Sequence, residues 1–186
     1  ELAADAAVGA AFGSAGERCM AISVLVTVGD AADRLLPLIE DRMEEIKVSA
    51  GMEDGAEMGP LVTEQHRDKV AGYIDAGVDE GAKLLADGRG LVDNDGFFVG
   101  PTLFDDVTSD MSIYKDEIFG PVLSTVRVDT YDQAMKLIDD NPWANGVAIF
   151  TNDGGAARKF QNEVQVGMIG VNVPIPVPVS YHSFGG

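Results

Sequence analysis

The stretch PVLSTVRVDTYDQAMKLIDDNPWANGVAIF, residues 121–150, contains the pattern that decides the fold. Residues 121–128 are rich in apolar and β-branched side chains, which favours a buried strand. The pattern then predicts a helix over residues 131–138 and a second strand over residues 146–150. A strand, a helix and another strand in this order are typical of a β-α-β unit with parallel strands.

The same alternation extends in both directions along the chain. Outside the first unit, the sequence predicts helices over residues 2–13, from Pro37 onward, after Thr63 as the N-cap, and over residues 155–164. It predicts further strands over residues 22–28, 83–85, around 97–104, and 166–171. We therefore expect an α/β fold, a three-layer α/β/α sandwich around a mostly parallel sheet.

Composition excludes several classes of function. The 186 residues suffice for one domain with its own core. Thirty-one acidic residues against 13 basic ones give a formal charge of −18, and Lys and Arg do not cluster, so we expect neither nucleic acid nor an acidic membrane as a partner. The acidic patches lack the spaced oxygen ligands and glycine of a calcium loop, and we expect no metal site.

The acidic residues also suggest an environment for the protein. Aspartate outnumbers glutamate 20 to 11, and there are only 6 lysines. We interpret this as the acidic proteome of a halophile, because salt screens the repulsion between like charges. The apolar runs are too short to span a bilayer, and the first residues lack the basic opening of a signal peptide. With a single cysteine and hence no internal disulfide, this predicts a cytoplasmic protein.

The only cysteine, Cys19, lies in GSAGERCMAIS, residues 13–23, and the residues alone leave two interpretations open. A lone intracellular cysteine among apolar neighbours is usually an inert small hydrophobic residue. However, a glycine-containing turn between a helix and a strand, with Arg18 adjacent, also suits a presented nucleophile. Glycine permits the tight backbone, and a nearby cation favours the thiolate.

The other residue types add little chemistry by themselves. His66 lies among charged neighbours on a predicted helix, where we expect a solvated surface residue, and a papain-like pairing of Cys19 with His182 is disfavoured. Neither a dinucleotide-binding G-x-G-x-x-G after a strand nor a P-loop sequence occurs. The chain therefore has no phosphate-binding motif of its own.

Five motifs in order cover essentially the whole chain: GERC at 16–19, FVGPTLF at 98–104, IYKDEIFGPVL at 113–123, NPWANGVAIFT at 141–151 and GMIGVNVP at 167–174. Together they resemble the catalytic domain of the NAD(P)-dependent aldehyde dehydrogenase superfamily. GERCMAIS and VNVPIPVPVS further resemble the CoA-acylating methylmalonate-semialdehyde dehydrogenase branch of that superfamily.

The resemblance implies roles for three residues near the chemistry. Cys19 would attack an aldehyde, lose a hydride from the resulting adduct to the nicotinamide, and retain the acyl group as a thioester. Glu117 would bind the nicotinamide ribose, and Phe119 would pack near the nicotinamide ring. Without the resemblance, Glu117 would be interpreted as a surface carboxylate and Phe119 as a core aromatic residue.

Substrate contacts follow from the same resemblance. Asn172 and Phe184 match the region that lines the substrate entrance in the family, although Ser183 replaces the proline that usually precedes this aromatic residue. Arg18 is a candidate partner for the carboxylate of an acidic substrate, with a surface guanidinium as the alternative.

The resemblance also implies that residues 1–186 are an excised catalytic domain, since the family carries a coenzyme-binding domain before it and an oligomerisation strand after it. We expect the fragment to be inactive alone, with NAD or NADP as the coenzyme, an aldehyde substrate and a homo-oligomeric parent enzyme. The preferred interpretation is methylmalonate- or malonate-semialdehyde oxidation with coenzyme A as the acyl acceptor. The alternatives are a hydrolytic aldehyde dehydrogenase for another aldehyde, and a non-catalytic binding or assembly module.

Overall fold

The computed structural model of the protein describes residues 1–92, 95–143 and 145–183. The helices are α1 (Leu2–Phe12), α2 (Ala31–Glu45), α3 (Glu64–Asp79), α4 (Ser112–Lys115), α5 (Tyr131–Asp139) and α6 (Gly154–Glu163). The strands are β1 (Val24–Val28), β2 (Lys83–Ala86), β3 (Thr102–Asp105), β4 (Val122–Val128), β5 (Gly146–Ile149) and β6 (Met168–Val171).

The strands form two sheets. In the larger one, β4 lies between β1 and β3 and runs parallel to both, while β2 pairs antiparallel with β3 at the edge. The smaller sheet consists of β5 and β6, which are also parallel. The predicted α/β fold with a mostly parallel sheet is confirmed, and β2 is the antiparallel exception. The β-α-β unit predicted over residues 121–150 is wrong in one respect, because its strands β4 and β5 belong to different sheets and do not pair with each other.

The central strand β4 shows why helices lie on both faces of the larger sheet. Five consecutive residues, 122–126, are buried. Because successive side chains of a strand point to opposite faces, burial without alternation requires cover on both sides. The main core combines this strand with apolar faces of the first three helices, for example Phe12, Ile39 and Ile74. A second, smaller core joins α5 and α6 to the small sheet.

Two predictions about element boundaries are wrong. The second helix begins at Ala31, not at Pro37, which lies inside α2. An interior proline costs about 3 kcal/mol because it removes a backbone donor. The buried face of α2 nevertheless continues on both sides of Pro37, through Leu36 and Ile39, so tertiary packing outweighs that cost. The strand expected around residues 97–104 forms only over Thr102–Asp105.

The predicted cap of the next helix is confirmed. Thr63 has extended backbone, and its Oγ1 accepts a hydrogen bond from the His66 N–H at 3.2 Å. This bond satisfies one of the free donors in the first turn of α3.

Among the described residues, no helix is both long and apolar enough to cross a membrane.

An ion pair crosses the larger sheet between β3 and β4. Asp105 is 1% exposed and accepts hydrogen bonds from Arg127 Nε at 2.9 Å and Nη2 at 2.8 Å. Burial alone would raise the pKa of Asp105, but the Arg127 guanidinium and the Asp106 N–H hold it below its ordinary value. The carboxylate is therefore charged in the folded protein at neutral pH.

Candidate active site

A left-handed turn precedes the cysteine. Helix α1 ends at Phe12, and the chain then passes through Ser14, Ala15 and Gly16 with φ of 52°, 53° and 71°. This region costs about 1–2 kcal/mol for each residue that has a Cβ. Ala15 and Gly16 are buried, so packing holds the turn in this conformation. Cys19 follows in the loop before β1 as an exposed, free thiol.

Arg18 folds back over this turn. Its Nε donates a hydrogen bond to Ser14 Oγ at 3.2 Å. Its guanidinium lies across Gly13, where a Cβ would stand 2.8 Å from Arg18 Cζ. The residue as a whole is exposed, so the positive charge beside Cys19 remains accessible from solvent.

The loop between α4 and β4 carries the two residues assigned to the coenzyme. Glu117 is exposed, and Phe119 is 37% exposed with φ of 58°. Ile118 and Gly120, their neighbours, are buried. Phe119 is therefore not a core residue. Its ring is partly exposed, whereas the residues on either side of it are buried.

Gly16 and Gly120 bring the cysteine turn and this loop together. A Cβ at Gly16 would stand 2.6 Å from the Gly120 carbonyl carbon and closer still to its oxygen. A Cβ at Gly120 would stand 2.6 Å from a methyl carbon of Val70 on α3. Neither position has room for a Cβ, so both must be glycine. At Gly16 and Gly120 the two loops contact each other through main-chain atoms.

His66 on α3 also joins the two loops. Its Nε2 lies 2.7 Å from the Phe119 carbonyl oxygen and 3.6 Å from Glu17 Oε1. The side chains of His66 and Glu17 are 22% and 13% exposed. Burial raises the pKa of the Glu17 carboxyl, and the His66 ring and the main chain of Val62 oppose this rise without cancelling it.

The prediction that His66 is a solvated surface residue is therefore wrong. A signal for its position does exist in the sequence, because His66, Val70 and Ile74 are spaced by four residues and share one face of a helix. Val70 and Ile74 are fully buried. The charged neighbours of His66 obscure this periodicity, and the motif GERC points to Cys19 and gives no signal for Glu17.

The small sheet contacts the cysteine from the other side. The Asn145 amide donates a hydrogen bond to the Cys19 carbonyl oxygen at 3.1 Å. The methyl carbon of Met20 packs against Gly146 so closely that a Cβ on that glycine would stand only 2.5 Å from it. Cys19 therefore lies where the two sheets meet, beside the start of β5.

The residues assigned to the substrate entrance have a different placement. Asn172 is exposed and follows the end of β6 with φ of 55°. Its side-chain amide is bound to the main chain of Thr151: Oδ1 accepts a hydrogen bond from the Thr151 N–H at 3.0 Å, and Nδ2 donates one to the Thr151 carbonyl oxygen at 3.1 Å. Met168 pairs with Gly146 at the start of the small sheet. Asn172 lies four residues further along, about 13 Å at the usual rise of a strand. Phe184 lies outside the described residues.

In the part of the chain that the structure describes, no group of three His, Cys, Asp or Glu side chains is arranged to hold a metal ion.

Comparison with known proteins identifies the family. The sequence model of the aldehyde dehydrogenase family matches residues 1–186. The chain belongs to this family. The aldehyde dehydrogenases similar to it include the malonate-semialdehyde dehydrogenase of Pseudomonas aeruginosa, which is 56% identical over 188 residues. The match covers 99% of this chain and 38% of that protein.

Solved structures agree with this aldehyde dehydrogenase assignment. The methylmalonate-semialdehyde dehydrogenase from Oceanimonas doudoroffii is 53% identical with a TM-score of 0.95, over 99% of this chain and 38% of that one. A second structure under the name methylmalonate-semialdehyde dehydrogenase, from Sinorhizobium meliloti 1021 and complexed with NAD, is 51% identical with a TM-score of 0.95. The match covers 100% of this chain and 38% of that one. The chain thus spans 38% of the length of these relatives.

Proposed function

We propose that residues 1–186 are the catalytic domain of an NAD-dependent aldehyde dehydrogenase that oxidises malonate or methylmalonate semialdehyde and transfers the acyl group to coenzyme A. The observation that carries this proposal is the exposed Cys19 thiol on a turn packed against the loop of Glu117 and Phe119. The names of the relatives at 56% and 53% identity support the substrate class.

Cys19 performs the covalent steps of the proposed reaction. Its thiolate forms a bond to the aldehyde carbon, and the carbonyl electron pair moves to oxygen. Backbone N–H groups beside a cysteine at such a turn suit the stabilisation of that oxyanion. The C–H electron pair then leaves as hydride, the C=O bond re-forms and a thioester of Cys19 remains. The thiolate of coenzyme A displaces Cys19 and takes the acyl group.

The residues present fit a nicotinamide coenzyme. NAD, when bound, supplies the acceptor for the hydride. The exposed carboxylate of Glu117 suits the hydroxyl groups of a ribose, and the half-exposed ring of Phe119 offers an apolar face. The remainder of the coenzyme would be held by residues outside this chain, in keeping with the 38% of the relatives' length that the chain spans. Alone, residues 1–186 are therefore expected to be inactive.

Three residues are assigned to the substrate. The exposed guanidinium of Arg18, next to Cys19, suits the carboxylate of a semialdehyde. Asn172 and Phe184 would line the entrance. For Asn172 this requires the entrance to reach the far end of the small sheet. We also propose that the protein is a cytoplasmic homo-oligomer and that its charge of −18 reflects adaptation to high salt.

The experiment that tests this function follows acyl transfer in the intact protein. Without coenzyme A, we expect a burst of about one NADH per active site followed by a stall, because the thioester of Cys19 accumulates. Addition of coenzyme A should restore turnover and yield a coenzyme A thioester. Free acid formed at the full rate without coenzyme A would instead support the hydrolytic alternative.

The variant Cys19→Ala tests the nucleophile itself. We expect it to abolish the burst while NAD still binds, because the thiol is exposed and its removal leaves the core unchanged. Met20→Leu, next to it, is the matched control for a disturbed loop. If Cys19→Ala still reduces NAD at the wild-type rate, the assignment is wrong, and the alternative of a binding or assembly module gains support.

A further inference from the structure

The ring of His66 lies between the segment that leads to Cys19 and the loop that carries Phe119. Its Nε2 is 2.7 Å from the Phe119 carbonyl oxygen, at the short end of the range for N–H···O hydrogen bonds. A carbonyl oxygen only accepts, so Nε2 carries the proton and donates it. Glu17 Oε1, 3.6 Å from the same nitrogen, favours a proton on that side of the ring.

The bond matters because of the backbone that it holds. Phe119 has φ of 58°, which residues with a Cβ adopt only where the surroundings impose it. Its carbonyl is held by His66, and the next residue, Gly120, is confined between Gly16 and Val70. The side chain of Phe119 itself is half-exposed and receives less support from packing.

We infer that His66, backed by Glu17, is a positioning residue that holds the Phe119 ring in the orientation required to receive the coenzyme; this inference rests on the proposed function. His66 touches neither the aldehyde nor Cys19 in this role. It acts through the Phe119 carbonyl. Because Glu17 lies two residues before Cys19, the same contact also sets the position of the ring relative to the thiol.

Other residues form the core contacts of α3, which makes the inference testable. The core side of α3 is formed by Val70 and Ile74, both fully buried, and its first turn is capped by Thr63. His66 lies one turn before Val70 and is 22% exposed. Replacement of His66 should therefore leave the fold intact and release the Phe119 loop.

The experiment compares three variants of the intact protein. His66→Ala removes the donor, His66→Gln retains an N–H at a similar reach, and Gln65→Ala is the control at an exposed neighbour on the same helix. The affinity for NAD is measured by isothermal titration calorimetry. Independently of the coenzyme, amide hydrogen exchange of the peptide over residues 114–123 reports on the loop.

We expect His66→Ala to weaken NAD binding about fivefold, within the range of one net hydrogen bond. It should also accelerate exchange in the peptide over residues 114–123. His66→Gln should restore most of the affinity and the protection, and Gln65→Ala should match the wild type in both. If His66→Ala fails to fold, His66→Leu, which fills the space without a donor, replaces it in the comparison with His66→Gln.

Two results would overturn the inference. One is that His66→Ala, or His66→Leu in its place, binds NAD and exchanges amide hydrogens as the wild type does. The other is that His66→Gln is as impaired in both measurements as the variant that lacks a donor. Phe119→Ala separates this outcome from a failure of the proposed function. If Phe119→Ala leaves NAD affinity unchanged, Phe119 does not contact the coenzyme and the proposed function fails at this residue. The exchange data still decide whether His66 holds the loop.

Discussion

Replacement of Gly16 by alanine places a methyl group between the cysteine turn and the Phe119 loop. A Cβ at this position would stand 2.6 Å from the Gly120 carbonyl carbon. The obstacle is main chain, so no side chain can rotate away to relieve the contact. The two segments must separate by about 0.8 Å before that carbon reaches ordinary contact at 3.4 Å, and by more before the nearer carbonyl oxygen does.

The magnitude has two parts, and Gly29 separates them. Gly29 has φ of 62°, but nothing lies within 4 Å of its ideal Cβ. Gly29→Ala therefore carries only the cost of left-handed backbone, about 1–2 kcal/mol. Gly16→Ala carries the same cost, and the overpacking adds about 1–3 kcal/mol. We expect Gly16→Ala to be the more destabilising of the two by about 2 kcal/mol.

The assay measures both stability and rate in the intact protein. Thermal melting of Gly16→Ala, Gly29→Ala and the wild type compares the stability cost at the two positions. Aldehyde-dependent NADH formation, the proposed activity, then reports the geometry of the site. Because a misplacement of about 1 Å can cost a factor of about 100 in rate, we expect a loss of 10- to 100-fold for Gly16→Ala. Gly29→Ala should retain nearly full activity.

The reasoning is refuted if Gly16→Ala and Gly29→Ala melt at the same temperature. Equal melting temperatures would mean that the contact between Gly16 and Gly120 imposes no constraint. If Gly16→Ala is destabilised as expected but keeps the wild-type rate, the contact is structural only, and the spacing of the two loops does not control catalysis.

Three further predictions concern stability. Arg127→Ala leaves the buried Asp105 carboxylate without its partner and should lower the unfolding free energy by about 3 kcal/mol at pH 7. Since the pKa of Asp105 is depressed in the folded protein, its contribution is complete at neutral pH and is lost as pH falls below about 4. Urea unfolding at pH 7 and pH 3 should therefore show a smaller effect of Arg127→Ala in acid, and equal effects would contradict this. Gly9→Ala, exposed inside α1 with nothing within 4 Å of an added Cβ, should stabilise by about 0.5–1 kcal/mol in the same assay, and a loss would indicate an unrecognised contact. The melting temperature should rise from low salt to molar KCl, because salt screens the charge of −18, and an unchanged melt would remove the proposal of salt adaptation.

Apart from the short helix α4, the order of helices and strands could be predicted because it depends on local patterns. Strand β4 is a continuous apolar run, and Thr63 is a standard helix cap. A helix start at Pro37 is a wrong prediction because the local cost of the proline is outweighed by burial of residues before and after it. Packing between distant segments decides that balance, and no local pattern contains it.

The candidate site likewise has a part that local sequence motifs predict and a part that they do not. The motifs predicted the family and assigned Cys19, Glu117 and Phe119, which stay predictions until tested. The left-handed turn could not be predicted, because Ser14 and Ala15 are not residue types that favour positive φ. They lead into Gly16, which packs against Gly120, about one hundred residues away in the sequence, and no local pattern contains that contact.

The main-chain contact between Gly16 and Gly120 has a consequence for protein engineering. Since a Cβ at Gly16 would meet main chain, changing the residue type at Gly16 offers no gradual way to adjust this contact: a methyl group is already too large. Libraries that vary this part of the protein should therefore leave both positions as glycine.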